Sequence, residues 1–303
     1  MNVTKKKKFS TLCYYTILFF IKILSLMPYW MLYVLSDILF FPLYYLIRYR
    51  RKIVRKNLTE TFPQRSISEI IQIEKNFYHF FVDMILESCK LISVSSEEIK
   101  QHVKFTNIEI VNNCLAEGKS ISLFLGHFGN WEWISSIGFW LKKDVVAAQI
   151  YHKLRNQTID KIMKRLRERT GNVCVDMYNT VRFMVNASTD SRPYIIGFIA
   201  DQSPKKREIK HFLRFLNHDV PVLTGSEKAT KHFGYEAIFL GIKRVKRGYY
   251  ECEFTPIQSY DKSLPDFELT NIYFNLLEKE IYDQPELYLW THNRFKYAIY
   301  SNN

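Results

Sequence analysis

The stretch that most limits what this chain can fold into is Ile121–Trp133, Ile-Ser-Leu-Phe-Leu-Gly-His-Phe-Gly-Asn-Trp-Glu-Trp. Ile121–Leu125 is an apolar run of strand length. Gly126-His127-Phe128-Gly129 interrupts it, and Asn130 suits a helix N-cap, which puts Glu132 in the first turn of a helix. On one continuous helix, five residues advance by roughly 500°, leaving His127 and Glu132 about 140° apart. A bend between strand and helix lets the carboxylate return toward the imidazole. A carboxylate receiving one ring N–H fixes the tautomer and leaves the other nitrogen as a general base. The chain has no Gly-x-Ser-x-Gly elbow, so the proton removed would come from a substrate hydroxyl or amine. The competing reading is a core histidine capped by a glutamate. Against it, the flanking glycines open backbone approach to a ligand. No third ligand stands at a metal-site spacing, so no metal is expected.

Around this junction the pattern alternates. Strands are predicted at Val103–Phe105, Val145–Ile150, Val173–Val175, Tyr194–Ala200, Ile238–Ile242 and Tyr249–Thr255. Helices are predicted at Ile108–Leu115, Gln157–Arg169, Thr180–Ala187, Ser226–His232 and Phe267–Ile281. That rhythm argues for an α/β fold, without giving the strand order. Ser66-x-x-Glu69 is a capping box that opens a helix through about Leu91, with Asp83 and Glu87 as an i,i+4 pair, solvated or neutralised by a cation.

The amino terminus reads differently. Lys5–Lys8 precede the apolar Phe9–Leu26; Pro28 breaks it, Trp30–Ile47 is apolar again, and Arg48-Tyr49-Arg50-Arg51-Lys52 follows. Basic clusters at both outer ends suit a membrane hairpin with both ends cytoplasmic, or one span plus an interfacial helix. Lys22 and Asp37, costly in lipid, sit about 9 and 13 Å from the break by helical rise and would pair in a hairpin. The net charge of +13 favours anionic partners: headgroups, phosphates, nucleic acid or an acidic carrier protein. The five scattered cysteines, with no Cys-x-x-Cys, suit buried thiols in a reducing compartment.

Gly126-His127-Phe128-Gly129-Asn130-Trp131-Glu132-Trp133 resembles the His-x-x-x-x-Asp/Glu motif of glycerolipid and lipid A acyltransferases. In particular it resembles the late, lauroyl/myristoyl-type acyltransferases of lipid A biosynthesis. Further matching stretches are Arg55-Lys56-Asn57-Leu58, Asp201-Gln202-Ser203-Pro204, Phe215-Leu216-Asn217, Leu223 through Lys228 and Trp290 through Lys296. The resemblance implies a mixed sheet flanked by helices, a membrane-embedded segment over 1–55 and an acyltransferase domain over 56–303. It implies acyl transfer at the cytoplasmic face of the bacterial inner membrane, from acyl–acyl carrier protein or acyl-CoA as co-substrate, to a hydroxyl of a lipid A precursor. No cofactor and no nucleic acid are expected.

His127, Glu132 and Arg167 are the expected catalytic set, with Glu132 orienting His127 and Arg167 near the reacting carbonyl. Gly129, Asn130, Tyr151, Arg169, Asp201, Gln202, Glu227 and Arg294 are the expected substrate contacts. The basic run Lys161, Lys164, Arg165, Arg167 and Arg169 reads equally as a solvated face. Asp201 and Pro204 could serve an ordinary turn, and Glu227 a helix dipole. Trp290–Lys296 could close the pocket or touch headgroups. The family's Tyr-Arg-Pro is here Tyr151-His152-Lys153, so no role is carried to position 152. Competing functions are a lysophospholipid or aminoacyl-lipid O-acyltransferase and, in another class, a membrane-tethered binding module for anionic polymers.

Overall fold

The computed structural model describes the backbone of residues 3–257 and 264–299, and the side chains from 11 onward within those ranges. The Lys5–Lys8 side chains lie outside them. Among the described residues nine strands form: β1 (Val103–Thr106), β2 (Ile121–Leu125), β3 (Val146–Tyr151), β4 (Val173–Asp176), β5 (Tyr194–Ile199), β6 (Phe212–Phe215), β7 (His218–Pro221), β8 (Glu236–Lys246) and β9 (Tyr249–Pro256). Seven build one mixed sheet in the order β1-β9-β8-β2-β5-β3-β4. Within this sheet only β8 and β9 pair antiparallel and every other neighbour is parallel; β6 and β7 form a separate antiparallel pair. The fold is therefore the expected mixed sheet with flanking helices.

β2 is buried at all five residues, because β5 and β8 flank it on both sides. Parallel strands covered on both faces read as continuous apolar runs. Its residues alternate between two packed faces. On one face Phe124 stacks with Phe198 at 5.9 Å and meets Tyr273 of the Glu268–Asp283 helix at 5.6 Å. On the other, Leu123 is in register with Gly197, and Gly197 with Gln149.

The hairpin β6–β7 is absent from the sequence reading. Its turn, Leu216-Asn217, has φ of 52° and 67°. Left-handed backbone is ordinary for asparagine but unusual for leucine, so the turn signal is half concealed.

Val3–Leu26 and Tyr29–Phe41 are helices, the second continued by a π-helical segment, Pro42–Ile47. Tyr29–Ile47 is the one described helix long and apolar enough to cross a membrane; Thr11–Leu26 is shorter. Trp30, Val34, Ile38, Leu46 and Ile47 all point outward. On the inner side, Phe40 and Tyr44 share the main core with the sheet. The expected Lys22–Asp37 pair does not form. Asp37 instead accepts from Arg247, at 2.7 Å from Nη2, beyond the end of β8, and Lys22 is exposed. A strand-turn guanidinium reaches the acid that helical rise alone had assigned to a lysine.

The Ser66/Glu69 capping box is present and opens the Ile67–Lys90 helix. Its two acids take different environments. Asp83 pairs with Arg247 at 2.7 Å. Glu87, fully buried, has no cation among its hydrogen-bond partners in the described residues: it accepts from Tyr33 Oη, Asn130 Nδ2 and Tyr250 Oη at 2.7–3.0 Å. Burial, then the Asp83 charge, pushes its carboxyl up to about 7. The sign follows from linkage. The folded state holds this proton more tightly than the unfolded chain, so the stabilisation is complete below about pH 4.5 and is lost as pH rises through about 7. Glu87→Gln should remove a contribution on the order of 3 kcal/mol from that pH slope. Urea denaturation of both proteins between pH 5 and 8 checks it; identical slopes would show that Glu87 does not titrate there.

Candidate active site

His127 stands two residues past β2, and Asp201 two residues past β5. The two strands are adjacent, parallel and paired Leu125 to Ile199, so both chains leave the sheet at the same level, side by side. His127 Nδ1 lies 2.7 Å from Asp201 Oδ1, and the same oxygen accepts the His127 backbone N–H at 3.2 Å. Asp201 is only 1% exposed. Burial alone would raise its carboxyl; the His127 charge and hydrogen bonds outweigh that and hold it below the usual carboxylate range. An ionised acid at this distance makes Nδ1 the protonated nitrogen and leaves Nε2 as the base.

The carboxylate on the imidazole is thus Asp201, and the expected His127–Glu132 pairing is corrected. Asn130 does cap the following turn, its Oδ1 accepting from Trp133 N at 3.3 Å, but the turn winds into a 3₁₀ helix, Trp133–Phe139. Trp131 is set edge-on to the imidazole, 5.3 Å between centroids. Glu132 turns to Arg167 on the Gln157–Glu168 helix and accepts a bidentate pair, 2.7 Å from Nε and 2.6 Å from Nη2. Both are largely buried, with 9% and 19% of their side chains exposed. Among the described residues Arg167 Nη1 makes no hydrogen bond to protein.

His127, Glu132 and Arg167 line one cavity of about 580 Å³, together with Trp131, Tyr151 and Gln202. Gln202 Nε2 is 3.3 Å from His127 Nε2. The cavity reaches both faces of the sheet around the C-terminal strand ends, where ligands of α/β folds bind. Leu123, Leu125, Ile195 and Gly197 wall it from one face. Phe198 and Ala148, with Val181 and Ala229 of the covering helices, wall it from the other. Its size and mostly apolar wall suit a small-molecule or lipid site.

The remaining expected contacts lie off this cavity and serve the frame. Gly129, at φ 59°, sits against Ile242, which a Cβ would strike; Gly126 is held likewise against Leu277. Their lack of a side chain is used by packing, not by a ligand. Asn130 is buried on Glu87. Arg169 Nη1 caps the Ile67–Lys90 helix end, donating to Leu91 O at 3.1 Å and Val94 O at 2.7 Å. Glu227 caps the Glu268–Asp283 helix through Phe267 N and Thr270 N, and pairs with Lys231 at 2.7 Å.

Arg294 is buried and donates through Nη1 to Ser203 Oγ and Pro221 O, both at 3.1 Å. Trp290–Lys296 backs the site instead of closing it. Asn57 Nδ2 binds Trp290 O and His292 O, and just upstream Leu289 N donates to His127 O at 3.0 Å. His292 Nε2 accepts from Ser203 N at 3.1 Å; burial first of all pushes its imidazole down to about 4, which keeps that nitrogen an acceptor.

A histidine–carboxylate dyad at an apolar cavity beside an ion-paired arginine suits acyl transfer to an alcohol. The family model of the bacterial lipid A biosynthesis acyltransferases matches residues 3–297. The chain belongs to that family. No curated protein matches it. In this lipid A biosynthesis acyltransferase the matched range takes in the amino-terminal helices as well as the sheet. The dyad itself is assembled from two segments of the acyltransferase 74 residues apart.

Proposed function

We propose that this acyltransferase moves a fatty acyl group from an acyl thioester, acyl–acyl carrier protein, to a hydroxyl of a lipid A precursor at the cytoplasmic face of the inner membrane. The observation that supports the chemistry best is His127 Nδ1 on buried Asp201 with its ring edge on the cavity. Nε2 takes the acceptor's hydroxyl proton as the oxygen attacks the thioester carbonyl. Arg167, held by Glu132, offers Nη1 to the oxyanion. Collapse breaks the C–S bond, and the imidazolium returns its proton to the leaving thiolate. Asp201 stabilises the imidazolium between the two transfers. The outward apolar residues of Tyr29–Ile47 and the +13 net charge favour work at an anionic membrane surface.

Detergent-purified protein, incubated with acyl–acyl carrier protein and either a lipid A precursor or a lysophospholipid, tests the reading. Mass spectrometry should show one added acyl group on the lipid A precursor. Acylation of the lysophospholipid alone would replace the acceptor while keeping the dyad chemistry.

A further inference from the structure

Gly197 stands in the middle of β5, and nothing in the fold requires a glycine there. Its φ is not left-handed, and a Cβ would meet only Ala148 O at 3.7 Å, Gln149 Cβ at 3.9 Å and Leu125 Cδ2 at 4.0 Å, ordinary contact distances. Gly126 and Gly129, by contrast, are held by their neighbours. A glycine inside a strand weakens it and often marks close approach of a ligand. Register puts Gly197 beside Leu123 and Gln149 on the face carrying Leu125 and Ile195, and all five residues line the cavity. A side chain at 197 would therefore project from the cavity floor. The position is four residues before Asp201, about 13 Å down the strand from the dyad. Beyond it Ile195 and Ala147 continue the wall, with Ile137 of the 3₁₀ helix also lining the cavity.

We infer that Gly197 is a specificity-determining residue: its bare backbone leaves the floor open, so that an acyl chain with its carbonyl at His127 runs across β5 toward Ile195. The inference rests on the acyl-transfer reading and adds which residue admits the longer chains. A branched side chain at 197 blocks the channel midway. Donors ending above that level still fit, whereas longer ones must fold back or withdraw the carbonyl from the base.

The test measures kcat/KM for decanoyl, lauroyl, myristoyl and palmitoyl donors with the wild type, Gly197→Ala and Gly197→Leu. The palmitoyl-to-decanoyl ratio should fall at least about tenfold in Gly197→Leu, within the range that one mismatched apolar group produces in a pocket. It should fall in the same direction but less in Gly197→Ala, whose Cβ the strand accommodates. Should Gly197→Leu fail to fold, the alanine variant decides alone. An unchanged ratio in folded, active variants overturns the assignment of Gly197 and leaves acyl transfer standing. A wild type inactive with every donor overturns both.

Discussion

His127→Ala should lower kcat/KM for acyl transfer by about 10²–10⁴-fold, the usual contribution of a positioned general base. The protein should stay folded, because the imidazole is partly exposed and its loss opens no core cavity. Asp201→Asn should have an effect of similar size for a different reason. The amide keeps the shape but carries no charge, and it can present N–H to the ring, which favours the tautomer with the proton on Nε2. Where the carboxylate of a Ser-His-Asp triad is replaced in this way the loss reaches about 10⁴. The informative comparison is with Glu132→Gln, which leaves the imidazole's partner in place. If Asp201→Asn transferred at the wild-type rate while Glu132→Gln collapsed, the dyad assignment would be wrong. A folded His127→Ala protein at full rate would remove the base altogether.

That comparison also locates what was legible in the sequence. Ile121–Leu125 could be read because a strand covered on both faces has no polar alternation to confuse it, and Gly126 and Gly129 end it visibly. The strand–bend–turn junction, the capping box and most later elements follow from local pattern alone. The partner of His127 does not. Local reasoning brings Glu132 toward the imidazole because it considers one segment at a time. Asp201 arrives through the pairing of β2 with β5, a non-local fact of strand order that alternation leaves open. Arg247 displaced Lys22 as the partner of Asp37 for the same reason. Asn130, Glu227 and Arg294 stand in family-matching stretches and Arg169 in the basic run, yet their side chains hold helix ends, the motif turn and the Asp201 loop, while Gly129 is packed against Ile242. Position near a motif does not separate a residue that touches substrate from one that supports the loop bearing it; burial and hydrogen-bond partners do.

Glu132→Ala should be the most destabilising single change in the cavity wall, by about 3 kcal/mol, because it leaves the Arg167 guanidinium mostly buried without its carboxylate. Removing both members, Glu132→Ala with Arg167→Met, should recover much of that loss, since no buried charge is then left without its partner. A double-mutant cycle by chemical denaturation should give a coupling near the upper end of the 0.5–3 kcal/mol found for contacting groups. Activity should not follow stability. If Arg167 stabilises the oxyanion, the double variant remains about 10²–10³-fold slower than wild type in kcat although its fold is restored. KM should move little, because the interaction develops only with the transition-state charge. Recovery of kcat together with stability would make the ion pair a structural brace for the cavity wall, and the oxyanion would then rest on backbone N–H groups at the His127 bend.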